Sequence, residues 1–289
     1  MFDRVEAFCR PASVPEALRL LQRGKGKARI VAGGTDVVVA GADDLRILID
    51  ITRAGLNYIR PRAGGVAIGA TTTLAEIEES ELLGKAAGGI LCRAAATCGS
   101  VSIRNLATVG GNLANASPAA DMATPLLVLD ASAVVAEARG RRKVSLADYL
   151  AGVSAGRFAQ AILVELVFPL PRGGQHCGWS FQKLGRTVVD IALISVAAGV
   201  QLDSHGRVKQ ARIAMGAVAP TAVRMPAAEG RMEGRTADAA LIAEAAAEVE
   251  RAVQPISDVR ASAEYRREMS AVLTARALRE CVEAAGGSL

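Results

Sequence analysis

The sequence predicts an α+β fold made of two domains. The chain has 289 residues, which suits about two domains, and 51% of them are hydrophobic, enough for a sizeable core. Strands and helices follow one another as far as residue 168, and a Pro/Gly cluster then covers residues 169–174. Beyond this cluster, a group of strands is followed by two long helices. We therefore place the domain boundary at the cluster, with one domain over residues 1–174 and the other over residues 175–289.

The first elements are a helix and two strands. Ser13 and Glu16 have the spacing of a capping box, so we expect a helix to begin there and to end at the glycines of residues 24–26. A strand over residues 29–32 and a second, buried strand over residues 45–51 follow, because both segments are short apolar runs.

The middle of the chain combines a short strand with helices. Residues 65–69 form an apolar run bounded by glycines, which predicts a strand. Thr73 and Glu76 form a second capping box, and the alanine-rich residues 86–97 predict a further helix. Residues 100–130 then form a long passage of low charge, whose only charged residues are Arg104, Asp121 and Asp130.

The remaining elements are strands and two closing helices. We expect strands over residues 134–137, 162–168, 181–184 and 208–215, a strand or a buried helix over residues 191–202, and amphipathic helices over residues 237–253 and 262–284.

Several classes of protein are excluded by the residue types present. The five cysteines are an odd number without a C-x-x-C pair, which argues against a disulfide framework, an iron–sulfur cluster or a zinc site in this chain. Two histidines cannot build a multi-histidine metal site, so we expect no metal ligands. No run approaches the roughly 18 apolar residues of a membrane span, and residues 1–10 lack a signal-peptide pattern. We therefore expect a cytoplasmic protein.

The net charge of +5 invites a nucleic-acid interpretation. Basic residues cluster over residues 23–29 and again over residues 139–143. Both clusters are short, contain glycine and lack interleaved aromatic residues, so solvated turns are favoured over a nucleic-acid site. A surface for an acidic protein partner is the other alternative.

Two glycine pairs share a pattern that suits an anion. Residues 30–36 and residues 108–112 each lead β-branched residues into a Gly-Gly pair followed by Thr35 or Asn112. Glycine allows positive φ and close approach, so successive N–H groups of both loops can converge on one pyrophosphate. A tight turn is the competing interpretation for either pair. The G-x-G-x-x-G and G-x-x-x-x-G-K-[ST] motifs are absent, so any dinucleotide is bound by another fold.

The two loops and the residues around them resemble a known family. The strings VAGGTD (31–36) and IRNLATVGGNLANASPAADMATPLLVLDA (103–131) are similar to the FAD-binding medium subunit of the molybdenum hydroxylases, the xanthine dehydrogenase and carbon monoxide dehydrogenase family. Further similar strings are FQKLGR (181–186), IAMGAVAPTAVR (213–224) and PISDVRASAEYR (255–266), so the resemblance covers nearly the whole chain.

The resemblance implies a fold and a set of cofactor residues. It implies an FAD-binding domain of the vanillyl-alcohol-oxidase (PCMH) type with two α+β lobes, about residues 1–55 and 56–174, and a C-terminal α+β domain of the CO dehydrogenase flavoprotein type. The implied FAD-binding residues are Ile30, Val31, Ala32, Gly33, Gly34, Thr35, Asp36 and Val37 in the first loop, Thr108, Val109, Gly110, Gly111 and Asn112 in the second loop, and Asp121 and Lys183.

Each single residue also has a structural interpretation. Asp121 is either a helix N-cap or a ligand of a ribityl or ribose hydroxyl, and Lys183 is either a solvated strand residue or a charge near the cofactor. Cys98 could approach the cofactor, and Trp179 and Tyr265 could stack on a ring, but core positions are favoured for all three. We identify no catalytic acid or base, which suits a chain whose chemistry belongs to a flavin.

The resemblance also implies a function and partners. A large subunit carries the molybdenum cofactor, a small subunit carries two [2Fe-2S] clusters, and FAD in this chain passes electrons to NAD⁺, oxygen or a quinone, within a dimer of heterotrimers. The alternatives are a self-contained flavin oxidase or dehydrogenase and a basic nucleic-acid-binding protein.

Overall fold

A computed structural model describes residues 4–41, 44–170 and 176–287. The described residues form three separate β-sheets with helices packed against them, which confirms the α+β class. The domain boundary predicted at residues 169–174 falls mostly on residues 171–175, outside the described residues, and therefore stays a prediction.

The N-terminal sheet has three parallel strands in the order β1-β3-β2. Its elements are β1 (Ala7–Cys9), α1 (Val14–Arg23), β2 (Ala28–Val31), α2 (Val37–Ala40) and β3 (Ile47–Asp50). The predicted cap at Ser13 is present, because its hydroxyl accepts a hydrogen bond from the amide of Glu16. The reciprocal bond of the capping box differs from the prediction, since the Glu16 carboxylate accepts from the amide of Ala12 instead.

The central sheet has five antiparallel strands in the order β4-β5-β8-β6-β7. Its strands are β4 (Ile59–Arg62), β5 (Gly65–Gly69), β6 (Ser132–Glu137), β7 (Gly140–Ser145) and β8 (Ile162–Pro169). The helices between them are α3 (Leu74–Glu78), α4 (Glu81–Lys85), α5 (Ile90–Ala96), α6 (Val101–Arg104), α7 (Val109–Ala114), α8 (Ala123–Val128) and α9 (Leu146–Ser154).

Neighbouring residues in the sequence explain where α3 and α5 begin. The capping box of Thr73 and Glu76 is complete at α3. The predicted helix over residues 86–97 starts late, because Gly88 and Gly89 take φ values of 59° and 71°, which an α-helix does not accommodate.

The C-terminal sheet has four antiparallel strands in the order β12-β11-β10-β9. Its elements are β9 (Cys177–Leu184), β10 (Ile194–Leu202), β11 (Val208–Gly216), β12 (Val223–Arg224), α10 (Pro226–Met232), α11 (Ala239–Ala252) and α12 (Ala263–Ala284). Residues 191–202, for which strand and helix were both open, contribute the strand β10. One face of this sheet packs with α11 and α12 in a single apolar core.

The other face of the C-terminal sheet packs against α8. Small residues allow this close approach, since Ala197 and Ala214 are fully buried in the apolar core of the central sheet. The amide of Ala217 donates to the carbonyl of Pro118 over 2.7 Å. Strand β9 of the same sheet reaches Thr97 and Asp121 through Lys183, which is the arrangement on which the candidate site depends. No helix in the described ranges is long and apolar enough to cross a membrane.

Candidate cofactor site

A cavity of about 650 Å³ lies between the first glycine loop and the central helices. Its wall is built mainly from residues 29–37, 98–121, 149–163 and 189–191. This volume is within the range of small-molecule and cofactor sites. The predicted cofactor residues line it, except that neither Val109 nor Lys183 is among the lining residues.

The first loop presents unpaired backbone amides to the cavity. Gly34 has a φ of 73°, in the left-handed region that favours glycine. In the described part of the chain, the amides of residues 33–37 donate no hydrogen bond to another group. Backbone N–H groups require an acceptor, so this loop is suited to bind a polyanionic group such as a diphosphate.

Gly33 is needed for a reason that differs from the predicted one. Its φ is not positive. A Cβ atom at this position would lie 1.8 Å from the carbonyl oxygen of Leu106, far inside van der Waals contact. Gly33 therefore lets the first loop pack directly on the segment that precedes the second loop.

The second loop is the first turn of a helix, which corrects the prediction of a second amide cradle. Thr108 is the N-cap of α7 and accepts a hydrogen bond from the amide of Gly111 over 3.1 Å. The amides of Val109 and Gly110 donate to the carbonyls of Thr72 and Ala70. These amides are already paired within the chain, so they are not available to a phosphate.

Gly110 and Gly111 do not have positive φ values either. A Cβ atom on Gly110 would lie 2.5 Å from the carbonyl oxygen of Ala70, so the glycine allows α7 to approach the end of β5. Val109 is fully buried in the core. The second loop thus shapes the cavity wall through Thr108, Gly110, Gly111 and Asn112.

Asp121 and Lys183 form a buried ion pair at the edge of the cavity. The Lys183 Nζ lies 2.7 Å from Asp121 Oδ2 and donates a second hydrogen bond to the carbonyl of Thr97 over 2.8 Å. Each side chain is only 6% exposed. Burial raises the pKa of the Asp121 carboxyl, while the Lys183 ammonium acts in the opposite direction.

Only one member of this pair, Asp121, lines the cavity. Its buried Oδ1 has no hydrogen-bond partner among the described residues. A buried carboxylate oxygen requires a donor, and a hydroxyl or N–H group of a bound ligand can supply one. Lys183 lies behind Asp121, so it acts through the carboxylate and does not line the site as predicted.

Two aromatic residues line the cavity although no local pattern marks them. Tyr149 on α9 and Phe158 in the following turn form a tilted pair with ring centroids 5.0 Å apart. Gly152 makes room for Phe158, since a Cβ atom there would lie 2.3 Å from the ring. They offer a nonpolar surface to a planar ring system.

Neither Trp179 nor Tyr265 lines the cavity; Trp179 packs against the core as expected, whereas the expected core position is wrong for Tyr265. Trp179 packs on Gly199, where a Cβ atom would lie 2.4 Å from the ring, and Tyr265 is 41% exposed on α12. No group of three or more potential metal ligands occurs within residues 4–41, 44–170 and 176–287.

The residues present fit FAD. The free amides of the first loop suit its pyrophosphate, the unpaired Oδ1 of Asp121 suits one of its donors, and Tyr149 with Phe158 suits a ring. The chemistry of these groups therefore matches a flavin dinucleotide without a Rossmann or P-loop motif.

Comparisons with known proteins identify the family to which both parts of the chain are similar. The family model for the FAD binding domain in molybdopterin dehydrogenase matches residues 2–171, and that for the CO dehydrogenase flavoprotein C-terminal domain matches residues 179–281. The xanthine dehydrogenase FAD-binding subunit of Escherichia coli O157:H7 is 33% identical over 296 residues, covering 100% of both chains. The carbon monoxide dehydrogenase medium chain of Hydrogenophaga pseudoflava is 30% identical, covering 93% of this chain and 94% of the relative.

Solved structures agree with these matches. A structure of carbon monoxide dehydrogenase from Hydrogenophaga pseudoflava is similar with a TM-score of 0.89 at 29% identity, covering 98% of this chain and 99% of the other. Quinoline 2-oxidoreductase from Pseudomonas putida 86 is similar with a TM-score of 0.87 at 28% identity, covering 99% of each chain.

Proposed function

The chain belongs to the FAD-binding subunits of the molybdenum hydroxylases, and from this premise we propose that it passes electrons through FAD from a partner chain's [2Fe-2S] clusters to an external acceptor. It is the flavoprotein component of an oxidoreductase, and FAD is its cofactor. The observation that carries the proposal is the cavity itself, which places the free amides of the first loop and the unpaired Oδ1 of Asp121 around one space.

The residues of this chain position the cofactor. When bound, FAD supplies the redox chemistry. The amides of residues 33–37 would hold the pyrophosphate, and Asp121 would accept a hydrogen bond from a sugar or ribityl hydroxyl. Lys183 would hold the Asp121 carboxylate in place through its hydrogen bond, and Tyr149 with Phe158 would exclude water from one side of the cavity.

The partners follow from the family. We propose a large subunit with the molybdenum cofactor and a small subunit with [2Fe-2S] clusters, assembled as a dimer of heterotrimers. This rests on relatives named as a medium chain or as an FAD-binding subunit. NAD⁺, oxygen and a quinone are the candidate acceptors, and the division into domains at residues 169–174 and the cytoplasmic location stay predictions from the sequence.

Co-purification tests the proposal directly. The chain is produced with the products of its neighbouring coding regions, and the FAD and iron contents of the complex are measured per chain. We expect one FAD per copy of this chain and a flavin that is reduced when substrate of the complex is added. A complex without flavin would refute the proposal.

The two alternatives predict different results for the chain purified without partners. Rapid substrate-dependent flavin reduction by the chain alone would favour a self-contained oxidase or dehydrogenase. Salt-dependent DNA binding without flavin would favour a nucleic-acid-binding protein.

A further inference from the structure

The hydroxyl of Tyr149 is the one polar side-chain group in its part of the cavity wall. Residues 149–163 contribute to this wall from α9, from the turn that follows it and from the start of β8. Apart from Tyr149, the contributing residues of this segment are glycine, alanine or larger nonpolar residues. In cofactor sites, a few polar groups on a nonpolar wall fix the orientation of the ligand.

This hydroxyl is open to the cavity and has no partner in the chain. Tyr149 is only 3% exposed, and its hydroxyl makes no hydrogen bond with a described residue. Its oxygen is nevertheless not one of the fully enclosed side-chain atoms that lack a partner in the described ranges, so it retains accessible surface. The space that Tyr149 borders is the cavity. Because the hydroxyl of a buried tyrosine normally has a partner, a bound group is suited to supply one here.

Neighbouring side chains hold the Tyr149 ring in place. Its centroid lies 5.0 Å from that of Phe158, with an angle of 39° between the ring planes. Phe158 is itself packed on Gly152 of α9, and the guanidinium carbon of Arg142 lies 5.3 Å from its centroid. These contacts restrict the rotation of both rings. The direction of the hydroxyl is therefore set before a ligand binds, which lowers the entropic cost of binding.

The Tyr149 hydroxyl is protonated at neutral pH. Burial raises the pKa of Tyr149 above its usual value of 10. A protonated phenol can both donate and accept a hydrogen bond. The edge of adenine presents an amino donor beside a ring-nitrogen acceptor, so it can pair with such a hydroxyl in either sense.

FAD contains two planar rings, the isoalloxazine and the adenine. An external acceptor has to reach the isoalloxazine, because this ring carries the redox chemistry. Val189 and Ile191 of the cavity wall are exposed, whereas Tyr149 belongs to the core of the central sheet. Adenine takes no part in electron transfer and can be enclosed by protein. The enclosed wall at Tyr149 therefore suits the adenine.

We propose that Tyr149 is a specificity-determining residue of the site, whose hydroxyl forms a hydrogen bond with the adenine of FAD. FMN has no adenine, so this contact favours the dinucleotide over the mononucleotide. The inference rests on the proposed function, since it takes FAD as the occupant of the cavity.

A tyrosine-to-phenylalanine change in the assembled complex tests the contact. Tyr149→Phe removes the hydroxyl and keeps the ring, and Tyr265→Phe is the matched control, because Tyr265 is exposed and does not line the cavity. FAD is removed, and the dissociation constants of FAD and of ADP are measured by calorimetry. ADP carries the adenine and a diphosphate but no flavin. We expect Tyr149→Phe to bind both ligands about fivefold more weakly, and Tyr265→Phe to bind each within about twofold of the unmodified complex.

The stability of the FAD-free complex separates a ligand contact from a structural role. Because the Tyr149 hydroxyl has no partner among the described residues, its removal leaves no group of these residues unpaired. The melting temperature of FAD-free Tyr149→Phe should therefore be no lower than that of the unmodified FAD-free complex. A structural role would lower the melting temperature together with the affinity.

Three results would overturn the inference. One is an unchanged FAD affinity in Tyr149→Phe. Another is an ADP affinity that does not change with that of FAD, or no binding of ADP to the unmodified complex, since either would show that the hydroxyl does not contact the adenine. The third is a lower melting temperature of FAD-free Tyr149→Phe. An unmodified complex that contains no flavin would instead refute the proposed function, so the failures are distinguishable.

Discussion

The ion pair of Asp121 and Lys183 joins the segment before α8 to strand β9 of the C-terminal sheet, and breaking it tests how this contact supports the site. Lys183→Met removes the ammonium and keeps a long apolar side chain of similar reach. At the observed N–O distance of 2.7 Å, Coulomb attraction at an effective dielectric constant near 20 is roughly 6 kcal/mol. Much of this offsets the desolvation of two groups that are each 6% exposed. Since the variant leaves a buried carboxylate unpaired, we expect a destabilisation of about 3–5 kcal/mol and a loss of FAD.

A double-mutant cycle isolates the pair. The unfolding of the complex is followed for Lys183→Met, for Asp121→Asn and for the two changes together, with FAD content measured in parallel. The double variant should recover most of the stability lost in Lys183→Met, because no buried charge is then unpaired. Lys85→Met is the control and should change stability by under about 0.5 kcal/mol, because the Lys85 side chain is 82% exposed.

The pH dependence of Lys183→Met has a defined sign. Burial raises the pKa of Asp121 in the folded chain above its usual value of 3.8, and loss of the ammonium raises it further. The folded variant therefore binds the Asp121 proton more tightly than the unfolded chain does. The loss of unfolding free energy in Lys183→Met is thus largest above the raised pKa of Asp121, and it shrinks as the pH falls through that pKa. Two results would refute the reasoning: a loss of stability that is constant with pH, or a double variant no more stable than Lys183→Met.

Three further predictions concern a glycine of the site and two charged residues outside it. Gly33→Ala should abolish FAD retention, because its Cβ would lie 1.8 Å from a backbone carbonyl oxygen, whereas Gly84→Ala should fold normally because a Cβ there meets no atom within 4 Å. Arg224→Ala should lower the free energy of unfolding by roughly 2–4 kcal/mol in chemical denaturation, since its guanidinium donates to both oxygens of the buried Glu229 carboxylate. Asp258→Asn should lower the melting temperature at pH 7 but not at pH 2. Backbone hydrogen bonds hold the pKa of Asp258 at about 2, so its contribution to stability is present above the unfolded value of 3.8 and is lost as the pH falls through 2.

Much of the secondary structure was predictable because its signals are local. The capping box at Thr73 and the Ser13 cap place helix starts within a few residues. The strand β5 was predicted with its observed bounds, Gly65–Gly69. The motif strings also indicated the family, since the loop at residues 31–36 and the string from residue 103 are long enough to be specific.

The sequence by itself determined the fold class and the family, and it named a part of the cavity wall, chiefly residues 30–37 and 108–112. Only the tertiary structure decided what those residues do. Gly33 and Gly110 permit close backbone contact instead of a positive φ, and the amides of the second loop are paired with Thr72 and Ala70. Lys183 lies behind Asp121, 62 positions away in the chain. Capping and periodicity act within one turn or strand, whereas these roles depend on which distant carbonyl or carboxylate the folded chain brings within a few ångströms.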